Sequence, residues 1–389
     1  MTALALGTSA VKEQAKGLRI VIAGGGTGGH LYPGIALAEA FIARDSNTEV
    51  KFLGAQSGIE SRVLPKEGWD AVFLDMARIR GGGPIVALKG ALKLPIAIGK
   101  SVQFFRKFKP HLVVGVGGYA SGAAMIAAAI LGIPRVVQEQ NAVPGMTNRV
   151  AGKFVHRVYT SFPGAEEHFP VGRVRCLGNP IRSAIRDALV AVEGEESVSE
   201  HQPRILVFGG SQGARFLNQQ VPSLMKALSA QLGSLEIVHQ TGVREEEETR
   251  QRYVELSVEA EVLPYLDNMA ERYAWADLAV CRAGASTLAE VTAVGVPTIL
   301  VPFPYAANDH QTANARDVSD AGGGFTVPQS EWEIEDLAGQ LVPVLQERAR
   351  LAEMSRQARA LGRPRAAEAI VEDCVDLLRG RGIKEANHD

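Results

Sequence analysis

Two stretches of this sequence open in the same way: residues 20–30 read IVIAGGGTGGH and residues 205–214 read ILVFGGSQGA. Each is a continuous apolar run, then glycines, then a helical pattern. An apolar run without polar alternation suits a parallel strand covered on both faces, and the glycines let the chain turn tightly into the next helix. A chain carrying this opening twice is expected to build two Rossmann-like α/β domains facing across a cleft. Its 389 residues also exceed one ordinary domain of about 100–200.

The alternation continues after each opening. In the first half, strands are expected at Leu18–Ala23, Val50–Leu53, Ala71–Leu74, Leu112–Val116 and Arg135–Gln138, with a helix over Gly34–Ala43. In the second, they are expected at Leu235–Gln240, Glu261–Pro264, Leu278–Cys281 and Thr298–Val301, after the strand that opens at Arg204. The Gly178–Asn179–Pro180 turn divides the chain into an N-terminal domain (18–178) and a C-terminal domain (179–363). The acidic stretch from Arg186 to Pro203 reads as poorly packed, and Glu245–Glu248 as a solvated helix face. Residues 1–17 read as a disordered tail rather than a signal peptide. Residues 364–389 form a last helix and tail, the helix carrying Ile370, Val371, Cys374, Val375 and Leu378 on one side and expected to return to the N-terminal domain.

Composition removes several function classes. Net charge is −2, so the molecule as a whole offers no general attraction to nucleic acid. Three widely spaced cysteines give neither a metal-ligand spacing nor a disulfide framework. The longest apolar run, Ala120–Pro134, is shorter than the roughly 20 residues a bilayer span needs.

The loops carry the chemistry. Gly24, Gly26 and Gly29 satisfy GxGxxG, but a nicotinamide-binding domain also needs an acidic residue at the end of its second strand. Here that strand ends Phe52–Leu53–Gly54–Ala55–Gln56, and the loop itself runs into His30. Gly209–Gly213 and Gly117–Gly122 have the small residues that let backbone N–H groups approach a phosphate. Thr287 and Glu290 fit a capping box at a helix start, or Glu290 accepts hydrogen bonds from two ribose hydroxyls; both readings stand. No Asp-x-Asp motif lies at a strand end, so neither a metal nor a cofactor is expected.

Seven motifs in order, GGGTGGHLYPGIALA, GVGGYASGAA, QEQNAVPGMTNR, LGNPIR, GGSQGARFLN, CRAGASTLAEVTAVGVPTILVPFP and DHQTANA, resemble the MurG family of GT-B glycosyltransferases, from about Leu18 to about Leu378. The resemblance implies transfer of N-acetylglucosamine from UDP to the 4-hydroxyl of the muramyl sugar of lipid I, with inversion, yielding lipid II for peptidoglycan synthesis. It implies a UDP-GlcNAc-binding C-terminal domain and an N-terminal domain that takes the lipid-linked acceptor at the cytoplasmic face of the cell membrane, as a peripheral protein. Carried over motif by motif, Arg182 and Ser211 would face the diphosphate or uracil side of the donor, and Leu266 would line the uracil pocket. Ala285, Ser286, Thr287, Leu288, Ala289 and Glu290 would surround ribose and phosphates, and Gln311 would bind sugar hydroxyls. Thr27, Gly28, Gly29 and Asn141 would close over the donor from the N-terminal side. A base must take the acceptor proton: His30 leads, because imidazole ordinarily titrates near neutrality, and Glu139 is the alternative.

Between Asp75 and Glu139 the chain has no acidic residue but nine basic ones, Arg78, Arg80, Lys89, Lys93, Lys100, Arg106, Lys107, Lys109 and Arg135. Within 76–108 these mix with Ile79, Ile85, Val86, Leu88, Leu92, Leu94, Ile96, Ile98, Phe104, Phe105 and Phe108. With a polyprenyl-linked acceptor, that mix suits an interfacial patch on an anionic membrane, each surface Lys or Arg contributing about 1 kcal/mol. Another GT-B sugar-nucleotide enzyme, such as a UDP-GlcNAc 2-epimerase or a lipid glycosyltransferase with a different acceptor, is the alternative function.

Overall fold

Among the described residues, thirteen strands form two separate sheets in which every ladder is parallel. The computed structural model describes residues 17–76, 83–192, 201–210, 212–266, 268–306 and 309–383. The first half runs β1 (Arg19–Gly24), α1 (Gly28–Arg44), β2 (Glu49–Ala55), α2 (Glu60–Lys66), β3 (Ala71–Leu74), α3 (Gly83–Phe108), β4 (Leu112–Gly117), α4 (Tyr119–Ile130), β5 (Arg135–Glu139), α5 (Met146–Ala151), β6 (Arg157–Thr160) and β7 (Val174–Cys176). The second runs α6 (Ser183–Val192), β8 (Arg204–Phe208), α7 (Arg215–Leu232), β9 (Glu236–Gln240), α8 (Glu246–Glu255), β10 (Glu261–Leu263), α9 (Met269–Trp275), β11 (Leu278–Cys281), α10 (Ala285–Val294), β12 (Thr298–Leu300), α11 (His310–Asp320), β13 (Gly324–Thr326), α12 (Ile334–Gln346), α13 (Arg348–Leu361) and α14 (Ala366–Arg379).

Strand burial explains the apolar runs. On β1, Ile20 and Ile22 join one core cluster while Val21 and Ala23 join another, so the two faces of the sheet are covered separately. On β8, Ile205 and Val207 likewise face away from Leu206 and Phe208. Each such side chain taken from water stabilises the fold by about 1.5–3 kcal/mol, for a residue of Val or Leu size.

Strand order fixes where a ligand can sit. The sheets run β3-β2-β1-β4-β5-β6-β7 and β10-β9-β8-β11-β12-β13. The order reverses at β1/β4 and at β8/β11, and crevices in such sheets open beyond the carboxyl ends of the strands at those reversals. The four loops that follow these strands carry Gly25–Thr27, Gly118, Gly209–Gly213 and Arg282–Gly284.

The expected strands are all present, within a residue or two at their ends. Three strands, β6 (RVYT), β7 (VRC) and β13 (GFT), carry no readable pattern, since Arg, Gly or Thr breaks each one and leaves no continuous apolar run. Helix α1 starts at Gly28, not Gly34, so Gly28–Gly29–His30 is its first turn rather than loop. The stretch expected to be poorly packed begins as helix α6, which continues to Val192; residues 193–200 lie outside the described residues, as do 1–16 and 384–389. Pro364 precedes α14, whose N-cap is Arg365, instead of occupying its first turn.

The crossover between sheets passes Gly178, whose φ of +97° and whose missing Cβ both matter: a Cβ there would sit 2.6 Å from Cβ of Arg363. The chain crosses back beside it, and α14 packs on the first sheet. Ile370, Val371, Cys374, Val375 and Leu378 are all 1% exposed or less, in one cluster with Ile35 and Phe41. Tyr159 Oη donates to Asp373 at 2.8 Å and Arg44 pairs with Glu372 at 2.8 Å, so polar bonds fix the same helix at both rims.

Candidate functional site

A cavity of about 650 Å³ lies between the two sheets at the reversal points, within the usual range for a small-molecule site. Its second-domain wall comes from the loops after β8, β10 and β11. The N-terminus of α10 opens into it through Gly284, Ala285, Ser286 and Thr287, and the N-cap Gly284 bears no side chain to fill the free N–H positions. Unpaired N–H groups and the helix dipole make this end an anion seat, and the ten-residue helix is long enough to develop it.

Glu290 lies one turn further along the same face of α10. Its Oε2 accepts a 2.8 Å bond from the Tyr273 hydroxyl, and its own burial pushes its carboxyl up to about 7 against the lowering pull of that bond and of Arg182. The capping-box reading of Thr287 and Glu290 does not hold: the N-cap is Gly284, and no side chain caps the helix. Arg282 sits beneath, half-buried, donating to the carbonyls of Val301 and Pro302 at 3.1 Å and lying over the rings of Phe216 and Phe303. Burial lowers its guanidinium to about 10, leaving it a cation at neutral pH.

The first-domain wall is the turn after β1. Glu60 is fully buried, and its carboxylate accepts from the N–H of Gly26 at 2.7 Å and of Ala55 at 2.8 Å. Gly25, Gly54 and Gly58 surround it, each so close that a Cβ would fall under 3.0 Å from it. The carboxylate missing from the end of β2 is therefore present five residues later. It occupies the N–H of the loop's second fingerprint glycine, where a dinucleotide phosphate would otherwise bind. The Gly117–Gly118 turn, expected as a third ligand loop, instead packs on the first: Gly25 N donates to Gly117 O at 3.2 Å. A Cβ at Gly118 would stand 2.5 Å from Gly25 O, so only glycine allows the two turns to meet this closely. His30 follows, with Nδ1 3.0 Å from Oε1 of Gln140.

The domains touch at the rim of this cavity. Ser286 Oγ reaches Gly29 O at 3.4 Å, Ala142 N donates to Asn314 Oδ1 at 2.9 Å, and Arg182 pairs with Glu67 at 3.3 Å while lying over the Tyr32 ring.

The sequence matches the Glycosyltransferase family 28 N-terminal domain over residues 20–160 and the Glycosyltransferase family 28 C-terminal domain over residues 204–370. The UDP-N-acetylglucosamine--N-acetylmuramyl-(pentapeptide) pyrophosphoryl-undecaprenol N-acetylglucosamine transferase of Myxococcus xanthus is 44% identical over 93% of each chain. That of Geobacter sulfurreducens is 42% identical over 93% of this chain and 99% of its own. Acinetobacter baumannii MurG superposes with a TM-score of 0.74 at 31% identity, over 93% of this chain and 99% of that one. The chain belongs to the MurG family of glycosyltransferases. A UDP-GlcNAc 2-epimerase from Neisseria meningitidis, at 13% identity and a TM-score of 0.64, shares the fold alone.

The residues expected from the MurG motifs fall into three groups. Gly28, Gly29, Arg182, Leu266, Ala285, Ser286, Thr287, Glu290 and Gln311 line the cavity. Gln311 accepts the Phe303 N–H through Oε1, and among the described residues its amide nitrogen has no partner. Thr27, Leu288, Ala289 and Asn141 do not line it. Leu288 and Ala289 lie about 100° per residue further round α10, and both face a second cavity beside the Gly178–Asn179 crossover. Asn141 is turned back, its N and Nδ2 both donating to Glu139 Oε1. Ser211 lies outside the described residues. Glu139 loses its standing as the alternative base: it is fully buried, and Asn141, Gly145 and Asn148 between them donate to both of its oxygens. Sequence reading missed Tyr273, Arg282, Glu60 and Gln140. Arg282 and Gln140 stood inside the quoted motifs, but nothing local distinguishes Tyr273 or Glu60 from core or surface.

Proposed function

We propose that this MurG-family chain transfers N-acetylglucosamine from UDP-GlcNAc to the 4-hydroxyl of the muramyl sugar of lipid I, forming lipid II with inversion at the anomeric carbon. The observation that carries this reading is the cavity itself: one wall offers an open helix N-terminus, a cation and a carboxylate in the order a nucleoside diphosphate presents phosphate and ribose. The C-terminal domain (179–363) holds the donor. Its diphosphate rests on the N-terminus of α10 with Arg282 beneath, its ribose hydroxyls on Glu290, its uracil near Leu266 and its sugar near Gln311. The charge developing on the leaving diphosphate is met by N–H groups and guanidinium cations already in place. The N-terminal domain (18–178) brings the acceptor, and His30, at the start of α1, takes the proton from its hydroxyl in a single displacement.

The acceptor's lipid places the enzyme at the cytoplasmic face of the membrane as a peripheral protein. Among the described residues no helix is long and apolar enough to cross a membrane. The second half of α3 supports a surface contact narrower than its composition suggests. Lys100, Arg106, Lys107 and Ile96 are exposed, as is Lys109 just beyond the helix. Ala97 and Phe105 are core, and Leu94, Ile98, Phe104 and Phe108 pack against that core. Lys93 is paired with Asp75, and Arg135 lies away on β5. Arg78, Ile79 and Arg80, with the side chains of Ile85, Val86, Leu88, Lys89 and Leu92, lie outside the described residues.

The test is a purified reaction. UDP should be released only when UDP-GlcNAc and a soluble lipid I analogue are both present; release independent of acceptor, or none at all, would overturn the assignment.

A further inference from the structure

Where β5 ends at Glu139 the sequence reads Gln138–Glu139–Gln140, and the three side chains take different partners: Gln138 the Gly178 carbonyl, Glu139 the Asn148 amide and Gln140 the Val116 carbonyl. Glu139 ties down the loop that follows. Gln140, 1% exposed, does something different. Its Nε2 donates to the carbonyl oxygens of Val116 at 3.0 Å and Gln138 at 3.3 Å. Two backbone carbonyls can only accept, so the amide nitrogen must face them and the amide oxygen must face the other way. That oxygen lies 3.0 Å from Nδ1 of His30. An amide oxygen only accepts, so Nδ1 must carry the hydrogen. A neutral imidazole has one N–H, which leaves the lone pair on Nε2.

The ring is also confined. Gly117 has a φ of +99°, and a Cβ there would stand 2.9 Å from both Cε1 and Nδ1 of His30, so only glycine admits the ring at this place. Among the described residues Nε2 has no hydrogen-bonding partner. We propose that Gln140 is a positioning residue that holds His30 in its Nδ1–H tautomer and so offers the unprotonated Nε2 to the acceptor hydroxyl. This inference rests on the reading of His30 as the base. In hydrolytic triads a buried carboxylate orients the histidine; here a neutral amide does, its own geometry set by two strand carbonyls.

The test uses full-length protein labelled with 15N-histidine, with His30→Gln identifying the His30 resonances among eight histidines. At a pH where imidazole is neutral, the unmodified protein should show a single Nδ1–H tautomer at His30. An Nε2–H or averaged signal would overturn the proposal without any variant at position 140. In Gln140→Leu the signal should move to a mixture or to Nε2–H. Its kcat should fall by about a hundredfold, the scale of general-base catalysis, with KM for UDP-GlcNAc unchanged. An unchanged tautomer in that variant would also overturn it. A shifted tautomer with kcat intact would uphold the hold of Gln140 on the ring and overturn His30 as the base, so the two claims fail separately.

Discussion

At the residue scale, the surroundings of a few side chains decide their protonation or direction. Glu290 is ordinarily ionised at neutral pH, but burial raises its carboxyl to about 7. Ribose hydroxyls donate best to the anion, so donor binding should favour ionisation and release a proton. Affinity for UDP-GlcNAc should therefore rise as pH increases, by about tenfold between about pH 6 and about pH 8, measured by calorimetry. In Glu290→Gln the curve should be flat and binding weaker throughout; a pH dependence surviving that change would place the titrating group elsewhere. The sign for folding is opposite. The raised carboxyl contributes stability that is full below the ordinary glutamate value and lost as pH rises through about 7. His30→Ala should lower kcat by about 100-fold or more while leaving donor KM in place, read from steady-state kinetics. A loss confined to KM would make His30 a binding residue.

At the element scale, strands were the most legible part of the sequence because continuous apolar runs have one good explanation, a strand buried on both faces. Helix starts were less so. The first turn of α1 is made of Gly28–Gly29–His30, residues that read as loop until the Thr27 carbonyl accepts the N–H groups of His30 and Leu31. The T-x-x-E pattern at Thr287–Glu290 points to a cap by local rules, and a tertiary partner, Tyr273, claims the glutamate instead. Glu60 was invisible for the same reason. Its role depends on the turn after β1, 34 residues away in sequence at Gly26, and nothing within α2 marks it as buried. The return of α14 was readable, since its apolar stripe needs a surface to cover. Ile370→Ala, at a fully buried position against the first sheet, should cost about 2–5 kcal/mol in chemical denaturation. A cost below about 0.5 kcal/mol would show that the helix does not depend on that packing.

At the scale of the whole molecule, two sheets present their reversal points to one cavity, and different walls take different tasks. The second domain keeps its helix N-terminus open for an anion. The first ties up the Gly26 N–H of its own glycine loop, the one after β1, with the Glu60 carboxylate, so that N–H is not open to a second nucleotide. This division was only half legible: paired glycine motifs located both loops, while the carboxylate that separates their roles came from outside either motif. The exposed cations of α3 belong to the first domain too. Anionic liposomes should sediment the protein at low salt and release it at high salt, since surface charge attraction is screened within about 10 Å at 0.1 M salt. Equal binding to neutral liposomes would remove the electrostatic contact.

Inverting transfer between two bound sugars is read directly in its product. With UDP-GlcNAc carrying 13C at the anomeric carbon and a lipid I analogue, NMR of the isolated product should show a β-linked disaccharide joined at the muramyl 4-position. An α linkage, free N-acetylglucosamine, or an epimerised sugar in place of the disaccharide would contradict it.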